Sequence, residues 1–293
     1  MRILLTGSQG QMGQAILHYS KNNSSITLIP TDRTTCDVTD FNSVQQAILQ
    51  HHPDMLMNCA AYTQVDKAQM PDEKQKVWDI NVKGTENLAK ICADNNIFLF
   101  HLSTDYVFDG IKKTAYVESD ETNPISEYGK SKLEGEQSIV KFTDKYIILR
   151  VSWVFSEFSQ NPLKNILKLM QTRHELSIVN DQKACPTYAG DIADVLLKLS
   201  TFEKANLKPG IYHYCNQPGI TRFELAKIVY SYGKKISHLN LNDVSIKPIT
   251  TENFPTPAQR PKNSMLDCSL FLQTFDIPLK PWENSLKHCL ENM

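Results

Sequence analysis

Short apolar runs alternate with amphipathic stretches along the first 150 residues. The apolar runs predict β-strands at 2–6, 26–31, 54–58, 97–103 and 146–151. Between them, apolar residues that recur every three or four positions predict helices at 12–21, 41–51, 73–94 and 128–142. Strands that alternate with helices form parallel sheets covered on both faces, because their crossovers are right-handed. The pattern therefore predicts a doubly wound, Rossmann-like α/β fold.

The regular alternation stops after Trp153. The elements predicted beyond it are a helix from Pro162 capped by Asn161, a strand at 176–179, a helix at 190–200, a strand at 211–215 and a helix from Thr221. Glu224 stands three residues after Thr221, which fits a capping box. A proline-rich stretch follows at 248–261. We expect a dinucleotide-binding domain at 1–152 and a smaller mixed α/β portion at 153–293 that mainly binds substrate. It stays open that some segments of this portion return to the sheet.

The charge balance makes some classes of partner unexpected. Lys plus Arg is 31 and Asp plus Glu is 32, so the formal net charge is -1 and neither nucleic acid nor an anionic membrane is an expected partner. The longest apolar stretches, such as 97–102, are far shorter than the roughly 18 residues of a membrane span. The apolar start at 1–5 is shorter than the core of a secretory signal, about 7 to 15 residues. We therefore expect a globular, cytoplasmic protein.

The seven cysteines show no spacing typical of a metal or disulfide site. Their number is odd, no two form a CxxC pair, and no histidine stands at zinc-ligand spacing beside any of them. We expect reduced and mostly buried thiols, and we predict no metal site. One chain does not give the oligomeric state, so a homodimer stays open.

A glycine-rich turn directly follows the first predicted strand. Gly7, Gly10 and Gly13 form a GxxGxxG pattern that runs straight into the first helix. Such a turn lets the backbone approach a pyrophosphate, while the helix N-terminus offers free N–H groups and positive partial charge. The sequence therefore predicts a dinucleotide site here. The residues assigned to it are Gly7, Gln9, Gly10, Gln11, Met12 and Gly13.

The ends of the second and third strands supply the other coenzyme candidates, because ligands of doubly wound sheets bind at the carboxyl edge. Asp32 suits the ribose hydroxyls of NADH, whereas Arg33 suits the 2′-phosphate of NADPH. The two residues favour different coenzymes, so both NADH and NADPH stay open, with NADPH slightly favoured. The remaining coenzyme candidates are Asp37, Val38, Ala60, Ala61 and Tyr62.

A hydroxyl, a phenol and an amine are predicted to meet at the same edge. Thr104 follows the fourth strand, and Tyr128 and Lys132 are four apart, so they share a helix face. An ammonium near a phenol lowers the phenol pKa toward working pH, as a general acid requires. Thr104 adds a hydroxyl donor for a carbonyl oxygen. A second YxxxK pair, Tyr230 with Lys234, lacks a strand-end hydroxyl upstream, and we interpret it as a solvated helix end.

Nine motifs resemble a known family. Five of them are similar to the extended short-chain dehydrogenase/reductases, at 7–13, 58–69, 80–89, 103–110 (STDYVFDG) and 128–136 (YGKSKLEGE). The other four resemble the dTDP-4-dehydrorhamnose reductases within that group, at 150–155, 180–194, 210–216 and 255–267. The resemblance covers essentially the whole chain.

This resemblance implies reduction of the 4-keto group of dTDP-4-dehydrorhamnose to give dTDP-L-rhamnose, with a nicotinamide coenzyme as hydride donor. It implies that Tyr128 protonates the new alkoxide and that Lys132 holds the nicotinamide ribose and tunes the tyrosine. It also implies that Thr104 orients the ketone. These roles agree with the chemistry of the three side chains.

On the substrate side the resemblance implies that Tyr106 and Trp153 flank the sugar and that Arg260 lies near the diphosphate. Taken alone, Trp153 also suits the core and Arg260 the surface. Ala184 and the stretch 159–162 depart from the family pattern, which leaves the sugar open. A different 6-deoxy-4-keto nucleotide sugar is therefore a second candidate substrate. A non-catalytic subunit, similar to the regulatory subunit of methionine adenosyltransferase, is a third interpretation.

Overall fold

The computed structural model describes residues 1–21, 23–203 and 206–293. Its strands are β1 (Arg2–Thr6), β2 (Thr27–Pro30), β3 (Met55–Asn58), β4 (Phe98–Thr104), β5 (Tyr146–Val151), β6 (Val154–Phe155), β7 (Glu175–Val179), β8 (Lys183–Ala184), β9 (Thr187–Tyr188), β10 (Gly210–His213), β11 (Ile220–Thr221) and β12 (Ser245–Ile249). Its α-helices are α1 (Gln11–Ser20), α2 (Phe41–His51), α3 (Pro71–Trp78), α4 (Thr85–Asp94), α5 (Glu127–Phe142), α6 (Pro162–Thr172), α7 (Ala189–Ser200), α8 (Arg222–Gly233), α9 (Ser269–Phe275) and α10 (Trp282–Glu291).

Six parallel strands form the main sheet, in the order β10-β5-β4-β3-β1-β2. The chain passes from β1 to β2 on one side and then returns to place β3 on the other side of β1. The strand order therefore reverses between β1 and β3, and ligands of such sheets bind outside the carboxyl ends of the strands at this reversal. The predicted doubly wound α/β fold is confirmed.

The strands of the sheet are buried on both faces. In β1, Ile3 and Leu5 lie in one apolar cluster with α1 and α7, whereas Leu4 between them lies in a second cluster with α2, α4 and α5. Burial on both faces requires apolar side chains at successive positions, which is why the strands appear in the sequence as continuous apolar runs. The core thus fixes the strand ends on which the candidate site is built.

The helix predicted over 73–94 is interrupted in the structure. It begins earlier, with Pro71 in its first turn, and a π-helical turn at Asp79–Gly84 joins α3 to α4. The turn brings Asn81 to the loop after β3, where its side chain bonds both the backbone N–H and the carbonyl of Tyr62, at 2.8 and 3.1 Å. Apolar periodicity does not distinguish such a turn from an α-helix, and π-turns are frequent at functional sites.

Much of the chain beyond β5 forms a smaller portion with three two-stranded sheets, which pair β6 with β9, β7 with β12 and β8 with β11, whereas α7 and α9 pack on the main sheet. Helices α6, α8 and α10 share a third apolar cluster there. The predicted capping box of Thr221 and Glu224 is present, and Asn161 caps α6. Strand β10 instead pairs with β5 as the sixth strand of the main sheet. Across the described ranges, every helix is too short or too polar to span a lipid bilayer.

A buried ion pair fixes α5 against the sheet. From β5, Arg150 donates to Glu136 Oε2 through Nη2 at 2.6 Å and to Oε1 through Nε at 3.0 Å. Both side chains are nearly inaccessible to solvent, with 3% and 2% exposed. Ser103 on β4 donates another hydrogen bond to Glu136 Oε1. One residue of α5 is therefore tied to two neighbouring strands.

Removing one partner of this ion pair should lower the free energy of unfolding much more than replacing both partners. Arg150→Met leaves the Glu136 carboxylate buried without its partner, and we expect it to lower the free energy of unfolding by about 3–5 kcal/mol. Arg150→Met combined with Glu136→Leu removes both charges and should lose clearly less. Urea denaturation followed by circular dichroism measures both variants. The exposed pair Lys247–Glu175 offers a control, because Lys247→Met should cost less than about 1 kcal/mol. The interpretation would be contradicted if the double variant lost as much free energy of unfolding as the two single variants lose together.

Candidate active site

The glycine turn after β1 brings the chain close to the loop after β3. Gly7 has φ +68°, and a Cβ on it would lie 2.6 Å from Ala60 N. A Cβ on Gly13 would lie 2.4 Å from the Gly7 carbonyl oxygen. Gly10 precedes α1 and provides no side-chain cap, so the first N–H groups of the helix are available to an anionic ligand.

The side chain of Gln11 indicates whether this turn suits a ligand. Its Nε2 is buried, yet it has no hydrogen-bond partner among the described residues. Buried amide donors are nearly always paired, so an acceptor from outside the chain is expected beside α1. Gln9 and Gly10 are exposed on the same turn, and Met12 is half-buried against the core. The turn therefore fits the phosphate or ribose oxygens of a dinucleotide.

The chain after β2 presents the two residues that favour different coenzymes. Asp32 Oδ1 accepts hydrogen bonds from the Thr34 hydroxyl at 2.6 Å and the Thr34 N–H at 2.9 Å, and these bonds lower the pKa of Asp32. Arg33 has 79% of its side chain exposed and lies 3.3 Å from Asp37 Oδ2. Water screens such a pair, so little holds the Arg33 guanidinium in place. Val38, one residue further, is buried.

The loop after β3 is held by side-chain amides on both sides. Ala60 N–H donates to Asn58 Oδ1 at 3.0 Å, and the backbone of Tyr62 is bonded by Asn81. Ala60 and Ala61 are half-buried, whereas Tyr62 is buried. This loop therefore forms a fixed wall opposite the glycine turn, at the reversal point of the sheet.

Thr104, Tyr106 and Tyr128 meet at this edge of the sheet. Thr104 ends β4, and Tyr128 lies in the first turn of α5, where Ser126 Oγ accepts from Gly129 N–H at 3.1 Å. The rings of Tyr106 and Tyr128 stand nearly perpendicular, with centroids 6.0 Å apart. Burial raises the pKa of Tyr128 above its ordinary value, and the Thr104 hydroxyl opposes part of that rise. The phenol therefore stays protonated, which is the form a general acid needs.

Lys132 bonds to strand β4. Its Nζ donates to the Leu102 carbonyl at 2.8 Å and lies 3.0 Å from His101 Nε2. The side chain is 2% exposed, and burial lowers the pKa of Lys132 to about 8. The pKa of Tyr128 was expected to be lowered beside Lys132, but burial of the phenol dominates in this structure and the net shift is upward.

Donor and acceptor matching at His101 favours the neutral amine of Lys132 over the ammonium. Asn58 Oδ1 accepts the Ala60 N–H, so Asn58 Nδ2 is the atom that faces His101 Nδ1, at 3.0 Å. His101 Nδ1 must then accept, which leaves the ring proton on Nε2. That N–H faces Lys132 Nζ and can donate only to an amine with a lone pair. This contact acts in the same direction as burial, which lowers the pKa of Lys132 to about 8, and the ammonium still predominates at neutral pH.

The three candidates for the sugar side lie in one neighbourhood. The Tyr106 hydroxyl accepts from Arg222 Nη2 at 3.3 Å, and Arg222 Cζ lies 4.3 Å from the centre of the Trp153 ring. Trp153 is half-buried and has a left-handed φ of 39°, a strained conformation that clusters at functional sites. Arg260 interacts electrostatically with Tyr106 and donates to Asp66 Oδ2 at 2.7 Å. Within the described ranges, no three His, Cys, Asp or Glu side chains could hold a metal ion together.

Comparison with known proteins identifies the family. The family model of the RmlD substrate binding domain matches residues 1–293 of this chain. The chain belongs to the RmlD substrate binding domain family. The resemblance seen in the sequence motifs is thereby confirmed, and it extends over both the sheet and the smaller portion.

Relatives within the RmlD family match along the full chain. The dTDP-4-dehydrorhamnose reductase of Aggregatibacter actinomycetemcomitans is 37% identical, over 98% of this chain and 97% of the relative. The solved dTDP-4-dehydrorhamnose reductase of Clostridium acetobutylicum is 36% identical with a TM-score of 0.90, over 99% of both chains. The reductase of Bacillus anthracis, solved in complex with NADP, is 32% identical with a TM-score of 0.91, over 100% of this chain and 99% of that chain.

Sequence analysis missed two residues of this RmlD-family site. Asp105 is 2% exposed and accepts hydroxyl bonds from Ser152 at 3.0 Å and Ser264 at 2.5 Å, and burial raises its pKa to about 6. Its position inside the motif at 103–110 was a usable signal. Arg222 follows the Thr221 cap and resembled an ordinary solvated helix start, so its contact with Tyr106 gave no local signal.

The buried amine of Lys132 should make stability depend on pH. Its pKa is about 8 in the folded chain and 10.5 ordinarily, so between these values the folded state binds fewer protons than the unfolded state. Stability therefore rises with pH in this window. The free energy of unfolding of the wild type, minus that of Lys132→Met, should rise by about 2 kcal/mol from about pH 7.5 to about pH 10.

Chemical denaturation at the two pH values measures this difference, in which the contributions of other titrating groups cancel. Lys130→Met is the matched control, because Lys130 lies on the same helix with 52% of its side chain exposed, and it should show no such rise. A difference for Lys132→Met that does not change with pH would contradict the lowered pKa.

Proposed function

We propose that this chain reduces the 4-keto group of dTDP-4-dehydrorhamnose to dTDP-L-rhamnose, the last step in forming that sugar nucleotide, with NADPH or NADH as hydride donor. The observation that carries the proposal is the position of Thr104 and Tyr128, at the carboxyl edge that also holds the glycine turn. Full-length relatives named dTDP-4-dehydrorhamnose reductase support the choice of substrate.

The reaction adds a hydride to the ketone carbon and a proton to its oxygen. A bound nicotinamide would supply the hydride. When the ketone binds, the Thr104 hydroxyl turns its one proton from Asp105 Oδ1 to the ketone oxygen and so orients the ketone, and Tyr128 gives its phenolic proton to that oxygen as negative charge develops. Lys132 binds ribose hydroxyls and, when protonated, stabilises the phenolate that remains on Tyr128.

Residues 1–152 hold the coenzyme in this proposal, and most of 153–293 serves the substrate. The glycine turn and Gln11 suit the pyrophosphate, and the exposed Arg33 suits a 2′-phosphate, while Asp32 is already engaged in its own turn. We therefore infer that NADPH is preferred over NADH. The relative from Bacillus anthracis that was solved with NADP supports this choice.

Removing the phenolic hydroxyl should abolish turnover. Tyr128→Phe is expected to lower kcat by about 10²–10⁴-fold, because it deletes the proton donor, with coenzyme affinity unchanged. The measurement is coenzyme oxidation with dTDP-4-dehydrorhamnose generated in situ, together with NMR of the product. Tyr230→Phe, in the second YxxxK pair, is the matched control and should keep full activity.

Three other results would change the proposal in different ways. Full turnover in Tyr128→Phe would remove the proposed proton donor. Reduction of a different 4-keto nucleotide sugar, with the dTDP-linked one untouched, would keep the chemistry and change the substrate. Coenzyme binding by the wild type without turnover of any such sugar would favour a non-catalytic regulatory subunit.

The coenzyme preference should depend on Arg33. Arg33→Ala is expected to lower kcat/KM with NADPH by about tenfold or more, because a charge-assisted bond to phosphate is lost. The same parameter with NADH serves as the internal control and should change little. Steady-state rates with both coenzymes measure the ratio, and an equal loss with both would show that Arg33 does not contact the 2′-phosphate.

A further inference from the structure

We propose that Arg222 forms the principal anion contact of the substrate site, where its guanidinium binds the diphosphate of the nucleotide sugar beside Trp153 and Tyr106. The inference rests on the proposed function, because it concerns the same substrate. It moves the main phosphate contact away from Arg260, the residue that the family resemblance places near the diphosphate.

The position of Arg222 is defined by three neutral neighbours. Nε donates to Gln182 Oε1 at 2.8 Å, Nη2 donates to the Tyr106 hydroxyl at 3.3 Å, and the guanidinium stacks on the Trp153 ring at 4.3 Å. A guanidinium carries five N–H donors. The other three find no hydrogen-bond partner in the part of the chain that the structure describes. They are therefore available to an oxygen-rich ligand.

The two arginines at this site differ in how their charge is balanced. Arg260 pairs with Asp66 at 2.7 Å, and its Nη1 donates to Thr256 and Ala258, so it mainly holds its own loop in place. For Arg222, no carboxylate oxygen of the described residues lies within 4.0 Å of the guanidinium nitrogens. Asp66 also interacts with Arg222 at longer range, but it bonds directly only to Arg260, so the positive charge of Arg222 is the less directly paired of the two.

Nearby Asp105 does not remove this difference. It is 2% exposed, and its oxygens already accept hydroxyl bonds from Ser152, Ser264 and Thr104. No Asp105 oxygen lies within 4.0 Å of the Arg222 guanidinium nitrogens, so the two groups interact only at longer range. The Asp105 carboxylate therefore leaves the Arg222 guanidinium open to an external anion.

The helix dipole gives no reason for a cation at this position. Arg222 is the first residue of α8, where the positive end of the helix dipole disfavours positive charge. A planar guanidinium that stacks on an indole is well oriented for bidentate contact with phosphate oxygens. The diphosphate would then contact Arg222 beside Trp153 and Tyr106.

Binding measurements with dTDP and thymidine test this inference without turnover. Isothermal titration calorimetry on Arg222→Gln should show dTDP affinity lowered by about 10- to 100-fold, with thymidine affinity unchanged. Arg222→Lys keeps the charge without the planar fork, and it should recover part of the loss. Arg173→Gln makes the same charge change at the exposed residue that follows α6 and should bind dTDP like the wild type. Thermal melts confirm that each variant is folded.

The alternative is that Arg222 merely covers Trp153 in the free protein. In that case Arg222→Gln would bind dTDP as well as the wild type or more tightly, and the inference would be overturned. It would also be overturned if only Arg260→Gln lost dTDP affinity. Wild-type reduction of the dTDP sugar in either case would leave the proposed function standing. A wild type that bound no nucleoside diphosphate and reduced no nucleotide sugar would remove both proposals.

Discussion

The carboxylate of Glu136 determines where the catalytic candidates lie. Tyr128, Lys132 and Glu136 follow one another at intervals of four along α5, so they form one stripe on the face of the helix that meets the sheet. Arg150 and Ser103 hold the last of these residues, and the backbone of β4 bonds Lys132. The stripe is thereby fixed against the strand that ends in the Thr104 hydroxyl. A slip of one helical turn would separate phenol from hydroxyl and leave two charges buried without partners.

Much of the fold follows from local patterns in the sequence. Continuous apolar runs mark strands that are buried on both faces, and the glycine turn marks the start of α1, because only residues without a Cβ fit the close approaches at Gly7 and Gly13. The capping box at Thr221 could also be predicted, because its two side chains are only three residues apart in the sequence. The π-helical turn before α4 could not be predicted, because one inserted residue hardly changes the spacing of the apolar residues.

The electrostatics of the site could not be predicted in the same way. The spacing of Tyr128 and Lys132 shows that they share a face, but the pKa of each group depends on how deeply the fold buries it. Arg222 lies 116 positions from Tyr106 in the chain, and no local pattern connects them. The sequence thus identifies the residues whose chemistry depends on neighbours along the chain, whereas charges that balance across the fold become visible only in three dimensions.

The sixth strand makes the main sheet depend on the smaller portion of the chain. Strand β10 belongs by sequence to the smaller portion, yet it pairs with β5 and covers that side of the main sheet. A gene fragment that ended after residue 152 would encode five strands with a bare, apolar border, which invites aggregation. Any replacement of the smaller portion would therefore have to supply another strand for the free side of β5.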